Sequence, residues 1–142
     1  MEIKMKWDGD ARFTSKTETG ASVTVDTGVA FGGSGKHPTP MELVLIALAG
    51  CAGIDLVMIL EKMRVNLSKV AIDVEAQRRD AEPRYFKEIK IVYTLAGEGL
   101  TEDKAGRAAK LATEKYCSVG VMLREKAEIT YEVNVEQVGS PA

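Results

Sequence analysis

The stretch "LVLIALAGCAGIDLVMIL", residues 43–60, constrains this chain more than any other. A run that apolar either crosses a membrane or lies in a core. A spanning helix needs about 20 consecutive apolar residues. This run reaches such a length only by including Asp55, and Gly50, Cys51 and Gly53 dilute its hydrophobicity. It therefore reads as the buried helix of a soluble fold. A helix that is apolar all round must be covered all round. A chain of 142 residues has little material to do that alone, so a homodimer that buries the helix is expected.

The start of the helix is legible. Thr39 suits an N-cap, Pro40 the first helical position, and Glu42 completes the Thr-x-x-Glu capping box. The helix should run to about Met63, where the polar "VNLSK" follows.

Around it the pattern is mixed. Residues 2–7, "EIKMKW", and 22–26, "SVTVD", read as two short strands. The glycine-rich "GVAFGGSGKHPTP" reads as a loop. It misses the phosphate-binding loop pattern, which would need glycine at Ala30 and a hydroxyl at His37. Three later segments alternate apolar and polar residues. Their apolar faces are Val70, Ile72, Val74 and Ala76, then Ile89, Ile91, Tyr93 and Leu95, then Ile129, Tyr131, Val133 and Val135. The first two should form a hairpin across "RRDAEPRYF". A second helix starts near Thr101, lined by Ala105, Ala108, Ala109 and Ala112, and a short helix covers 118–125. The class is α+β, one domain over residues 1–142, with a long central helix packed against antiparallel sheet in an intertwined dimer.

The formal charge of −2 contains no block of one sign, so neither nucleic acid nor an anionic membrane is an expected partner. The opening "MEIKMKWDGD" lacks the apolar stretch of a secretory leader, and a cytoplasmic location is expected. Two cysteines, Cys51 and Cys117, in a reducing compartment seldom form a structural disulfide. With His37 as the sole histidine and no Cys-x-x-Cys, no metal site and no cofactor are expected.

The cysteines remain. A thiol attacks peroxide as thiolate, so a reactive one needs its anion stabilised. Cys51 falls about three turns into its helix, beyond the reach of the helix dipole. Asp55, four residues on, shares its face and would oppose ionisation. From these residues alone, Cys51 and Cys117 read equally as packing or as a redox pair.

"PTPMELVLIALAGCAGIDL" followed by "EKYCSVGVML" resembles the OsmC/Ohr family of thiol peroxidases. The resemblance implies an intertwined homodimer with Cys51 as the peroxidatic and Cys117 as the resolving cysteine. It implies an organic hydroperoxide as substrate, a dithiol reductant as electron donor, and an apolar pocket with residues such as Leu48, Ile54 and Met122. Active members carry a glutamate directly after the helix-opening proline, holding an arginine from the N-terminal strands. Here Met41 stands at that position, Glu42 lies one residue later, and Arg12 is the N-terminal candidate. No arginine occurs between Phe13 and Met63; Lys36 and His37 are loop cations. The stretch "RRDAEPRYF" resembles the YhfA-like branch of the family, for which a non-catalytic redox-sensing or ligand-binding role is the alternative. Arg78, Arg79 and Arg84 could surround an anionic ligand, face solvent, or serve an interface.

Overall fold

The computed structural model describes residues 1–137. The chain forms two compact units, 1–46 and 47–142, and the long helix runs from the end of the first into the second.

The first unit is a three-stranded antiparallel meander, β1 (Ile3–Trp7), β2 (Phe13–Thr17) and β3 (Ser22–Val25). Sequence patterning predicts two strands here; the structure has three. "FTSKT" carries no apolar alternation, because its ladder is stitched by polar groups instead. The Thr14 and Thr24 hydroxyls meet at 3.0 Å, and Ser15 Oγ donates to the Val23 carbonyl at 2.9 Å. After β3, Asp26 is 3% exposed and gathers the glycine-rich loop. Its carboxylate accepts from the Thr27 N–H at 2.7 Å and from the Ser34 N–H and hydroxyl, both at 3.2 Å. The Ser34 N–H leads in holding its pKa below the ordinary carboxylate range. Gly33 is required there, since a Cβ would lie 1.9 Å from the Thr27 carbonyl oxygen.

Helix α1 (Pro40–Lys62) opens on the expected box. The Thr39 N–H donates to Glu42 Oε1 at 3.0 Å, and the Glu42 N–H to Thr39 Oγ1 at 3.2 Å. Within the second unit α1 buries Leu48, Ala52, Gly53, Leu56 and Leu60. The opposite side is bare, with Ile54 65% and Met58 52% exposed.

Strands β4 (Asn66–Arg78), β5 (Phe86–Glu98) and β6 (Glu128–Val135) form the second sheet in that order. The three apolar faces read from sequence pair directly: Ile72 sits opposite Tyr93, and Tyr93 opposite Val133. Ile89, Ile91, Tyr93 and Leu95 of the central strand are at most 1% exposed. The sheet is mixed rather than antiparallel, because β6 runs parallel to β5. Alternation is blind to strand direction. The crossover that parallel pairing demands is helical: α2 (Glu102–Lys110), a π-turn (Leu111–Tyr116) and α3 (Ser118–Leu123). The four predicted alanines are fully buried under this crossover.

One polar pair lies in that core. The Tyr93 hydroxyl meets Thr113 Oγ1 at 2.7 Å, anchoring the π-turn to the sheet. Tyr93→Phe strands the buried Thr113 hydroxyl and should lower unfolding free energy by about 1–3 kcal/mol. Thr113→Val should cost a similar amount. The double variant should lose less than the sum, measured by urea denaturation.

Candidate active site

Two segments bring the cysteines together. Cys51 rides the middle of α1 and is half-buried; Cys117 follows the π-turn and is fully buried. The wide turn matters locally. The Cys117 N–H donates to Ala112, five residues back, at 3.0 Å, which ends the helix and lets the chain restart as α3 with Cys117 at its cap. Inserted π-turns of this kind are frequent at functional sites. Arg124 satisfies the carbonyls left at the break, donating to those of Thr113 and Glu114.

The Cys117 sulfur accepts the Gly120 N–H at 3.2 Å and faces the Leu48 carbonyl oxygen at 4.0 Å. Gly120 must be small: a Cβ would sit 3.3 Å from that sulfur and 3.5 Å from Leu48 Cδ1. The spacing Cys-x-x-Gly was visible in "YCSVG" as a cap pattern, but nothing in the sequence announced the π-turn.

Burial pushes the Cys117 thiol up to about 11. The Gly120 N–H pulls the other way and loses. The hydrogen bond with Cys51 and the charges of Cys51 and Asp55 add to the rise. A thiol raised that far keeps its proton at neutral pH, and its S–H faces the Leu48 carbonyl. The spacing on α1 singles out Asp55 for its effect on Cys51; the thiol on which its charge acts here is Cys117.

The other two candidates belong to the first unit and are already engaged. Glu42 closes the capping box, and Thr39 holds its carboxylate below the ordinary range, through the backbone N–H first. Arg12 Nη1 lies 3.4 Å from Asp10 Oδ2. Lys36 and His37 remain in the loop. Among the described residues, no group acting on Cys117 is a cation.

The expected pocket is rearranged. Leu48 is 1% exposed and sealed, whereas Met122 is 67% exposed. Ile54 instead lines a shallow apolar groove with Gly53, Val57 and Ile72. Beside Asp55 lies a different cavity of about 390 Å³, walled by Met58, Ile59, Met63, Leu111 and Tyr116. Lys62 also lines it, and neither cysteine does. Among the described residues, no cluster of three His, Cys, Asp or Glu side chains could hold a metal ion.

Residues 33–132 match the family profile described as OsmC-like protein. The chain belongs to the OsmC-like family. It is 35% identical over 136 residues to Protein YhfA of Escherichia coli strain K12, covering 95% of this chain and 98% of that protein. A hypothetical protein from Aquifex aeolicus VF5 is 33% identical, with a TM-score of 0.79 over 95% of this chain and 96% of that one. An organic hydroperoxide resistance protein, OsmC, from Legionella pneumophila is 18% identical and shares the fold, with a TM-score of 0.69 over 95% and 98% of the two chains. Pro40–Lys62 is long and apolar enough to cross a membrane by composition. One such helix is weak evidence for a span, because a core helix passes the same test.

Iodoacetamide at pH 8 should label Cys51 and leave Cys117 untouched in the folded protein, read by peptide mass. The raised thiol also links stability to pH. Its contribution is complete below the unfolded value near 9 and is lost as pH rises through about 11. Cys117→Ala should flatten that alkaline decline in denaturation experiments.

Proposed function

We propose that this OsmC-like protein is a cytoplasmic, thiol-dependent peroxidase that reduces organic hydroperoxides. The observation that carries the reading is the asymmetry of the thiol pair: a half-buried Cys51 beside a sealed, protonated Cys117.

The steps follow from those positions. The Cys51 thiolate attacks the outer oxygen of ROOH; the O–O bond breaks, the OH stays on sulfur, and RO⁻ takes a proton from solvent to leave as ROH. Cys51 is then a sulfenic acid. Cys117 attacks its sulfur, its proton departs with the hydroxyl as water, and a Cys51–Cys117 disulfide forms. A dithiol reductant returns both thiols by exchange and becomes a disulfide itself. The apolar cavity near Asp55 suits the organic group of ROOH better than a second water.

The same reading includes a homodimer. Ile46, Ile54 and Met58 project from one helix with 57%, 65% and 52% of their surfaces bare. Burying three such side chains in a second copy contributes about 1.5–3 kcal/mol each.

A non-catalytic redox sensor is the second reading, and specific contacts favour it. Glu42 is spent on the cap, Arg12 sits on Asp10, and among the described residues no cation is among the groups acting on Cys117. Without a guanidinium the attacking anion loses a charge-assisted hydrogen bond worth about 1.5–3 kcal/mol.

Reduced protein mixed with cumene hydroperoxide at micromolar concentration tests the thiol cycle, and repeated peroxide consumption with excess dithiol separates an enzyme from a sensor that is oxidised once. In the peroxidase reading, intact mass falls by two hydrogens in the wild type. Cys117→Ser gains one oxygen instead, and Cys51→Ser stays unchanged. Unchanged wild-type mass after minutes of exposure would remove the enzymatic reading.

A further inference from the structure

The hairpin between β4 and β5 carries charges that thiol chemistry does not use. Its neck is closed by the Arg79 N–H donating to the Tyr85 carbonyl at 3.0 Å. Arg79 Nη1 also donates to the Tyr85 hydroxyl at 3.2 Å, and its guanidinium lies 5.0 Å from the ring centroid. Lys126, just beyond α3, places its ammonium 5.5 Å from the same ring. One aromatic side chain therefore gathers two cations, each held by the negative face of the ring.

Two more arginines are tethered beside them. Arg78 Nε donates to the Arg84 carbonyl at 2.6 Å, and Arg84 Nε reaches the Arg79 carbonyl at 3.5 Å. These tethers use the inner nitrogen of each side chain and leave the terminal forks unspent. The ion pairs among the described residues are Arg12–Asp10, Lys69–Glu136, Lys90–Glu132 and Arg107–Asp103. None includes Arg78, Arg79, Arg84 or Lys126.

The surroundings select the ligand. Asp80 and Glu82 lie on the hairpin turn, and Glu125 and Glu128 flank Lys126 in sequence. Acids and bases nearly cancel, so the tip projects little field over a distance. A nucleic acid, bound chiefly by phosphate neutralisation over many contacts, would gain little there. Short-range recognition by oriented donors remains. Guanidinium forks match the spacing of phosphate oxygens. The Tyr85 hydroxyl accepts from Arg79, which frees its own hydrogen to donate outward.

We propose that the β4–β5 hairpin tip is a binding site for the phosphate group of a small soluble phosphomonoester, held by Arg78, Arg79, Arg84, Lys126 and the Tyr85 hydroxyl. The site stands apart from the thiol pair and does not depend on peroxidase activity.

Titration of the full-length protein with inorganic phosphate, at ionic strength held constant with chloride, tests this by NMR of arginine Nε–H and tyrosine ring signals. Saturable shifts at the three arginines and Tyr85 are expected, with glycerol phosphate competing for them. Arg84→Gln is exposed and foldable, and should weaken binding roughly tenfold or more. Tyr85→Phe should keep the stack yet bind more weakly, while Lys16→Gln on β2 should bind as the wild type does. Linear, unsaturated shifts, or undiminished affinity in Arg84→Gln, would overturn the proposal. So would sedimentation with phosphatidic acid vesicles by a protein that ignores inorganic phosphate.

Discussion

The contact between α1 and its sheet governs this protein. The helix approaches so closely at Gly53 that a Cβ there would lie 2.7 Å from Ile72 Cδ1 on β4. That closeness carries Leu48, Leu56 and Leu60 to 1% exposure or less. Three leucines buried to that degree contribute about 1.5–3 kcal/mol each, a large share of a marginal total. Leu48 also reaches Gly120, so the same helix face seats the turn that bears Cys117. The thiol pair is thus a by-product of core packing: one sulfur comes from the helix, the other from the crossover lying beside it.

The two sulfurs occupy opposite ends of a solvation gradient. Burial costs an anion far more than a neutral thiol, and one backbone N–H at 3.2 Å does not offset that cost at Cys117. A pair in which one member is reachable and the other is kept protonated has its order of events built in. In the proposed peroxidase cycle the accessible sulfur meets the reagent first, and the sealed one resolves the product. Among the described residues, no cation is among the groups that act on Cys117, while Arg12 is engaged with Asp10 and Glu42 with the start of α1. This tension between scaffold and electrostatics is why peroxide reduction and redox sensing lead to different chemical outcomes from the same geometry.

Local rules were legible wherever one residue type satisfies one local need. Thr39 and Glu42 exchange the two hydrogen bonds their spacing foretold, and the alternating faces of β4, β5 and β6 meet residue for residue. β2 escaped notice because Thr14 and Ser15 hold it through hydroxyl groups rather than by burying an apolar face. The parallel pairing of β6 escaped because a period of two is the same in either direction. Asp26 reads as the end of the strand 22–26, although it anchors the loop that follows.

By itself, then, the amino-acid order determined the caps, the inward faces, the long apolar helix and the identity of the two cysteines, since each depends on neighbours within a turn or along a strand. Tertiary structure alone decided that Cys117 sits sealed and protonated against Cys51, that a π-turn aims it there, and that Tyr85 collects cations from both Arg79 and Lys126. The pairing of Cys51 with Cys117 and of Tyr85 with Lys126 depends on groups far apart in the chain. Solvent exclusion and distance set them, and neither is written in any single segment.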